Sequence, residues 1–341
     1  SDALDLAAEE DLIEALEQVA ETLSLTPLDY AALGPELAEV LWRPSELVTW
    51  LRDLALTRLV WAPRDGELAF TCLDAAPAIG DTLRSFGLVL LASATIGPVA
   101  AVATAAGLEP GELKRVQALT AWREGAYDVA VDLRVDTRYQ QRARSYATTA
   151  RTIQSVQQAA KSGVAVFFPS YRYAQTIAEE LDKIDPGIRV ALQPKLPDLA
   201  AQTQWVEQSL ALADVLFLVL GSSFAEGIDL LGGRVSHAIV VGPALPEVNA
   251  PQRAWLENLE RTSNSRETAF DRVYRIPGLQ KVNQGLGRLV RAPGQRTRVI
   301  LHCRRFIDPS YAQWLAPDYQ LGAHLADDKA LEDWLNSENR A

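Results

Sequence analysis

Residues 164–171 read VAVFFPSY, an apolar run of β-branched and aromatic residues that ends at a proline and a serine. A run of this length is typical of a strand buried on both faces, and the serine is typical of a helix start. Similar short apolar runs recur along the chain. They predict strands at Gly87–Ser93, Ala126–Leu133, Val164–Phe168, Arg189–Leu192, Asp214–Leu220, Ser236–Val241 and Arg298–His302. Helical periodicity separates several of them, at Thr149–Ala160, Tyr171–Ile184 and Ala201–Leu212. This alternation predicts an α/β fold with a parallel sheet flanked by helices.

The first 86 residues have a different pattern. Apolar residues recur at helical spacing over 4–23, and helical patterns broken by prolines continue to about Leu56. Two alternating runs on either side of Arg64-Asp65-Gly66 then predict a β-hairpin. We therefore expect an N-terminal helical region that ends in a hairpin and precedes the sheet.

The composition excludes several classes of protein. Hydrophobic residues make up 48% of the 341 positions and charged residues 23%, which excludes a disordered or collagen-like chain. No apolar run reaches the length that a membrane-spanning helix needs, and no basic-then-apolar leader opens the chain. Two cysteines cannot supply a four-cysteine cluster. We expect a cytoplasmic or nucleoid-associated protein with no membrane partner and no iron–sulfur cluster.

The charge is distributed unevenly. The chain carries a net charge of −11, yet residues 261–305 hold 11 bases against two acids, whereas residues 1–60 hold 13 acids against three arginines. All of those 11 bases except Lys281 are arginines, the residue suited to bidentate phosphate contacts. The alternative is that the basic segment forms an ordinary solvated face.

Polar residues follow two predicted strands at the edge where open α/β sheets bind ligands. After Val164–Phe168, Ser170 opens a helix, which favours an anion site, and the alternative is a purely structural serine cap. After Asp214–Leu220, the loop GSSFAEGIDLLGG occupies 221–233 and brings Glu226 and Asp229 close together. Two carboxylates this close together favour the interpretation that the loop forms an organised polar site. The alternative is that Glu226 and Asp229 are structural turn residues.

A third segment, QGLGRLVR at 284–291, is rich in arginine and glycine. If it is helical, Gln284, Arg288 and Arg291 share one face, and two arginines there suit a developing phosphate charge. A purely structural helix would disfavour its two glycines, each of which costs roughly 1 kcal/mol relative to alanine. The alternative is a basic surface helix.

These segments resemble motifs of the XPD/DinG-type superfamily 2 DNA helicases. VAVFFPSY resembles motif IV, the stretch from Ser223 to Gly232 resembles the motif V pattern S-F-x-E-G-[IL]-D-x-x-G, QGLGRLVR resembles motif VI, and LLASATIG at 90–97 resembles motif III. Order and spacing agree from about Leu59 to Tyr319. The resemblance implies a RecA-like fold in the C-terminal half of such a helicase, whose motor holds ATP between two RecA-like domains.

The resemblance also implies residue roles. Arg288 and Arg291 would be arginine fingers at the γ-phosphate, and Gln284 would support the same catalytic site. Coupling between ATP and DNA would involve Glu226, Gly227, Asp229 and Thr95. Contacts with the DNA backbone would involve Ser170, Tyr171, Arg172, Ser222 and Ser223.

The sequence lacks several motifs of the helicase family. The sequence has no Walker A loop G-x-x-x-x-G-K-[ST], no D-E-A-H-type segment and none of the family's iron–sulfur cysteines. We therefore expect that ATP and Mg²⁺ are bound mainly by a first motor domain in cis. Cys303, in LHCRRF, stands where the family often has aspartate, which puts a polar role there in doubt. The chain also contains no Met, which agrees with a piece of a longer or processed protein.

Three segments follow from this interpretation. Residues 1–86 would be a helical remnant of the family's arch insertion with a hairpin, 87–135 the motif III strand and linker from the first motor domain, and 136–341 the second RecA-like domain. The resulting hypothesis is the motor portion of an ATP-dependent DNA helicase, active in DNA repair, that translocates on single-stranded DNA and unwinds duplexes, although this chain alone would be inactive. The alternative is a non-catalytic RecA-like module that binds nucleic acid or protein. A dinucleotide-dependent enzyme is excluded because G-x-G-x-x-G is absent.

Overall fold

The computed structural model describes all residues except 1–5, 54–56, 65–66, 94, 117, 119, 197, 223–229, 264, 321 and 338–341. The chain divides into two compact units. The first unit comprises Ser1–Leu91, Pro98–Lys114 and Glu247–Phe270, and the second comprises Ala92–Gly97, Arg115–Pro246 and Asp271–Ala341.

The helices and strands are as follows in chain order. The helices are α1 (Leu6–Leu25), α2 (Tyr30–Arg52), α3 (Ala76–Arg84), α4 (Val99–Ala105), α5 (Tyr146–Ala159), α6 (Tyr171–Ile184), α7 (Leu199–Leu212), α8 (Ala250–Ser263), α9 (Arg266–Phe270), α10 (Ile276–Gly287), α11 (Pro309–Ala312), α12 (Pro317–Gln320) and α13 (Asp328–Asn336). The strands are β1 (Thr57–Arg64), β2 (Glu67–Asp74), β3 (Tyr127–Asp132), β4 (Gly163–Phe168), β5 (Val190–Leu192), β6 (Val215–Val219), β7 (Val235–Val240), β8 (Thr297–Leu301) and β9 (Ala323–Leu325). One π-helical turn, Asp271–Arg275, separates α9 from α10.

The first unit is helical and contains the predicted hairpin. Helix α2 is kinked at Gly34, which has a left-handed φ of 75°, one residue before a proline. Strands β1 and β2 pair antiparallel, and α8 packs against them. A small core of Ile13, Leu51 and Val60 joins α1, α2 and β1. The predicted N-terminal helices and hairpin are confirmed.

The second unit is built on a seven-stranded sheet with the order β5-β6-β4-β7-β8-β3-β9. Every pair of neighbouring strands in this sheet is parallel. Parallel strands need crossovers, and helices supply them on both faces. This is the predicted RecA-like α/β architecture, and the fold class is confirmed.

Two apolar cores cover the two faces of this sheet, because successive side chains of a strand point to opposite sides. On one face Ala165 and Phe167 of β4 pack with Leu279, Val282 and Leu286 of α10. The other face carries Val164, Val166 and Phe168 of β4 together with apolar residues of α5, α6 and α13. Both faces are buried, which explains why the strands read as continuous apolar runs rather than as alternating patterns.

The predicted strand at Gly87–Ser93 is wrong. These residues form no strand, and Leu88 and Leu90 are 91% and 87% exposed. A strand needs a neighbour for its N–H and C=O groups, and neither sheet in the described part of the chain includes this segment. A segment with apolar β-propensity but no partner strand therefore remains exposed and outside both sheets.

The compact units also divide the chain differently from the three predicted segments. Strand β3, which the motifs assigned to the 87–135 linker, pairs with β8 and β9 inside the second unit. The segment Glu247–Phe270, predicted to belong to 136–341, clusters with the first unit. The assignment of 1–86 to an arch and of 87–135 to a first motor domain stays a prediction.

Candidate functional site

The carboxyl ends of β4, β5 and β6 lie side by side, because the three strands are parallel neighbours. Ser170 and Tyr171 follow β4, Gln193 follows β5 and Ser222 follows β6. The sheet therefore brings together residues that lie about 50 positions apart in the sequence. We call Tyr171, Gln193, Lys195 and Ser222 the edge cluster.

Ser170 caps helix α6. Its hydroxyl oxygen accepts a hydrogen bond from the backbone N–H of Tyr173 at 3.3 Å. This is the structural alternative that the sequence left open, and it satisfies one of the free N–H groups of the helix start. Arg172 is exposed beside it. The DNA contacts assigned to Ser170 and Arg172 stay predictions.

Gln193 is the centre of the edge cluster, and sequence reasoning missed it. Its side chain is 2% exposed. Its Nε2 lies 2.8 Å from the Tyr171 hydroxyl and 2.9 Å from the Ser222 hydroxyl, while its Oε1 accepts from the backbone N–H of Val219 at 2.7 Å. Ser222 in turn donates to the Val219 carbonyl at 2.6 Å. One buried amide therefore joins the polar residues at the ends of three strands.

Lys195 adds positive charge to the edge cluster. Its ammonium nitrogen lies 5.4 Å from the centre of the Tyr171 ring, within cation–π range, and the side chain is exposed. The cluster thus presents an aromatic hydroxyl and a cation at one edge of the sheet.

Gly221 and Ser222 lie at the carboxyl end of β6, and residues 230–234 lead into the amino end of β7. Gly221 has a left-handed φ of 75°, and a Cβ there would lie 2.7 Å from Cε of Lys281 on α10. Ser223, Glu226, Gly227 and Asp229 lie outside the described residues, so their assigned roles stay predictions.

The prediction that Gln284, Arg288 and Arg291 share one helical face is wrong. Helix α10 ends at Gly287, Arg288 is its C-cap and Arg291 lies beyond it. The two weak helix formers Gly285 and Gly287 end the helix before the arginines, and the chain turns so that Leu289 and Val290 become buried. Arg291 is exposed, whereas Gln284 and Arg288 are half-buried.

Arg291 lies in a turn next to the end of the 221–233 loop. Oε1 of Gln295 accepts from the backbone N–H groups of Arg291 and Ala292, at 2.7 and 3.1 Å. A Cβ on Gly232 would lie 3.0 Å from Cγ of Arg291. Gly232 precedes β7, so Arg291, which lies beside it, is near the edge of the sheet formed by the amino ends of the strands. The edge cluster lies at the opposite edge, which is formed by the carboxyl ends. Arg291 therefore lies at the opposite edge of the sheet from Ser170, Tyr171 and Ser222.

Thr95 lies in the short segment Ala92–Gly97 of the second unit. Its backbone N–H donates to the Ser93 hydroxyl at 3.2 Å. A Cβ on Gly97 would lie 3.0 Å from Nε2 of Gln280, which is one helical turn before Gln284 on α10. The segment thus lies beside the face of α10 that carries Gln284, and the coupling role of Thr95 stays a prediction.

A second polar cluster, which the sequence did not indicate, lies buried where β3 and β8 end. Asp132 and His302 are fully buried, with Nδ1 of His302 2.8 Å from Oδ2 of Asp132. Nε2 of His302 lies 3.0 Å from the Thr149 hydroxyl, and Arg134 also donates to Asp132. Burial alone would raise the pKa of the Asp132 carboxyl, but hydrogen bonds from Arg134 and His302 outweigh it and hold the pKa well below its usual range.

Cys303 follows this cluster and is buried. The Thr137 hydroxyl lies 3.3 Å from its sulfur, and the Arg305 guanidinium donates to the same hydroxyl at 3.0 Å. The thiol therefore occupies a packed position in the apolar core beside α11.

Not all bases of the segment 261–305 face solvent. Its residues divide between the two units, and Arg298 is buried against Asp128 and the ring of Trp334. Arg275 forms an ion pair with Asp271 at 2.6 Å. The sequence charge count therefore overstates the positive charge available to a phosphate ligand.

Comparison with known proteins shows which family this chain is similar to. Residues 153–320 match the family model described as the helicase C-terminal domain. The regulator of telomere elongation helicase 1 homologs of Drosophila yakuba and Drosophila melanogaster are 26% identical over 191 residues, which is 52% of this chain and 19% of each relative. The matched region thus spans about a fifth of those relatives.

Solved structures show the same fold over nearly the whole chain. An apo XPD structure matches 95% of this chain and 63% of its own length, with a TM-score of 0.62 and 16% identity. Xpd4 of S. tokodaii matches 94% of this chain and 61% of its own length, with a TM-score of 0.59 and 16% identity. Residues 153–320 therefore resemble a helicase C-terminal domain, and the resemblance of the chain to XPD-type superfamily 2 helicases is confirmed.

Proposed function

We propose that this chain is the C-terminal motor portion of an ATP-dependent DNA helicase, which couples ATP hydrolysis to movement on single-stranded DNA and to duplex unwinding. The observation that carries the proposal is the arrangement of the helicase C-terminal domain itself. A polar cluster stands at the carboxyl edge of the sheet, and Gly232, which precedes β7, lies close to the turn that bears Arg291.

The proposal assigns the chemistry of ATP to two domains. Arg288 and Arg291 would approach the γ-phosphate, where cationic side chains stabilise the charge of phosphoryl transfer. In the described part of the chain no three His, Cys, Asp or Glu side chains are placed together to hold a metal ion. The Mg²⁺ and most of the ATP contacts belong, in this proposal, to a first RecA-like motor domain in cis. None of the described helices is long and apolar enough to cross a membrane.

The first test is binding by the chain as it stands. We expect weak binding to single-stranded oligo(dT), with an affinity that falls steeply as salt is added, because phosphate contacts release counterions. ATP should bind hardly at all. Fluorescence anisotropy of labelled oligo(dT) and of a labelled ATP analogue measures both. Tight ATP binding without a partner domain, or tight DNA binding insensitive to salt, would contradict the proposal.

The second test concerns Arg288 in the intact enzyme with both motor domains. Arg288→Ala should lower ATP turnover about 10³-fold, the low end of the range for arginine fingers. Arg151→Ala, which removes an exposed arginine of α5 in the same unit, is the matched control and should leave turnover unchanged. Normal turnover by Arg288→Ala would instead favour a non-catalytic module that binds nucleic acid or protein.

A further inference from the structure

We propose that Gln193 is a positioning residue that makes the Tyr171 hydroxyl the phosphate-binding donor of the edge cluster, with Lys195 supplying the adjacent positive charge. The ligand is the phosphodiester backbone of a single-stranded nucleic acid. This inference rests on the proposed function, and it identifies which group at the carboxyl edge contacts the backbone.

The orientation of the Gln193 amide follows from its partners. The backbone N–H of Val219 can only donate, so the amide atom 2.7 Å from it must be the oxygen. The other end is therefore the NH₂ group, and its two protons go to Tyr171 and Ser222 at 2.8 and 2.9 Å. The amide is buried and fully satisfied, which fixes its orientation.

The two hydroxyls then differ in what they can offer a ligand. Ser222 has one proton, and the Val219 carbonyl at 2.6 Å takes it in preference to Oε1 of Gln193 at 3.4 Å. Ser222 therefore has no proton left for a phosphate oxygen. Tyr171 accepts from Gln193, and in the described part of the chain its hydroxyl has no other hydrogen-bond partner.

The proton of the Tyr171 hydroxyl is thus available to an acceptor outside the cluster. Because the Gln193 donor occupies one side of the oxygen, the O–H bond must point away from the amide. The Lys195 ammonium lies 5.4 Å from the centre of the Tyr171 ring and is exposed. An anionic acceptor that takes the Tyr171 proton would also lie near this cation, and a phosphodiester is the acceptor that both groups suit.

The experiment measures the affinity of the full chain for fluorescein-labelled oligo(dT) by anisotropy at several salt concentrations. Tyr171→Phe should weaken binding about tenfold, because it removes one hydrogen bond to a charged acceptor. Gln193→Ala should weaken it by a similar factor, and the double variant should be no weaker than the weaker single variant, because both changes remove the same contact. Ser222→Ala should cost less than Tyr171→Phe.

Salt dependence separates the charge from the hydroxyl. A plot of log affinity against log salt concentration has a negative slope. Lys195→Gln should make this slope less steep by about 0.7, the value for one phosphate on a single strand. Tyr171→Phe should leave the slope unchanged. Tyr30→Phe in the first unit and Gln202→Ala, which removes another buried amide, are the matched controls and should bind as the unchanged chain does.

The outcomes distinguish this inference from the proposed function. If the unchanged chain does not bind oligo(dT) at low salt, the proposed function fails and the inference falls with it. If the chain binds but Tyr171→Phe has unaltered affinity, or if the effects of Tyr171→Phe and Gln193→Ala simply add, only the inference is overturned. If Gln193→Ala does not fold by circular dichroism, Tyr171→Phe and Lys195→Gln still decide the matter.

Discussion

Asp132 is a buried carboxylate whose energetic role follows from its neighbours. Removing a charge from water costs several kcal/mol, and Asp132 offsets that cost through two charged or polar partners, Arg134 and His302. Loss of one member of such a group leaves the others buried without compensation. The cluster links β3, β8 and α5, and through the Arg134–Asp328 pair it also reaches α13.

Replacing Asp132 should therefore destabilise the second unit. We expect Asp132→Asn to lower the free energy of unfolding by about 3 kcal/mol at pH 7, the low end for breaking a buried pair. Urea unfolding followed by circular dichroism measures this. Asp328→Asn removes a partner of Arg134 that is 78% exposed, and it should cost less than about 1 kcal/mol. Equal losses in the two variants would contradict the assignment.

The same residue predicts the direction of a pH effect. Because the folded-state pKa of Asp132 is depressed, its contribution is complete above the unfolded-state value of about 3.9 and is lost as pH falls toward the folded-state value. Unfolding of the unchanged chain should thus show a loss of stability below about pH 4 that is smaller in Asp132→Asn.

Single residues also mark the limit of what the sequence predicts. Ser170, Tyr171 and Ser222 follow strong apolar runs, so their place at the carboxyl edge could be predicted. Gln193 follows a strand of only three residues, Val190–Leu192, in a stretch with no motif. Its role depends on a backbone N–H and two hydroxyls from other strands, and no local pattern encodes such a meeting.

At the scale of elements, buried strands and amphipathic helices were the most predictable features. Apolar runs such as Val164–Phe168 carry their own signal, and the structure extends that strand by one residue, to Gly163. Predictions based on one element alone were wrong where tertiary contacts decide. Gly87–Ser93 has the apolar pattern of a strand but pairs with no strand in the described part of the chain. Helix α10 stops at Gly287 although its motif continues to Arg291.

The early end of α10 changes how its arginines are presented. A continuous helix would have held Arg288 and Arg291 on one rigid face. Instead Arg288 stands at the helix end and Arg291 in a turn fixed by Gln295. Different backbone elements therefore set the positions of the two guanidinium groups, and the relation between them depends on the buried residues Leu289 and Val290.

At the scale of the whole molecule, the C-terminal residues complete the sheet of the second unit. Strand β9 pairs with β3, and α13 packs Leu331 and Trp334 onto the core. Arg298 donates to the carbonyl oxygens of Trp334 and Leu335, and its guanidinium lies 3.9 Å from the centre of the Trp334 ring. In each of these contacts one partner lies beyond residue 320, where the family match ends.

A chain shortened to end at Gln320 should consequently be unstable. It would expose the free hydrogen-bonding edge of β3 and leave Arg298 with fewer partners, and open strand edges promote association. Size-exclusion chromatography and thermal unfolding should show aggregation and a lower melting temperature. A chain ending at Ser337 keeps every contact described above and serves as the control. A monomeric, equally stable product ending at Gln320 would contradict this prediction.

The position of β9 and α13 separates two kinds of boundary that are often treated as one. A family alignment ends where relatives stop sharing residues, whereas a cooperative folding unit ends where the last indispensable contact is made. In this protein the second limit lies 17 residues beyond the first, at Ser337, whose hydroxyl accepts a hydrogen bond from Arg298. The edge of β3 is therefore covered in this chain by a strand that lies outside the region matched by the family model.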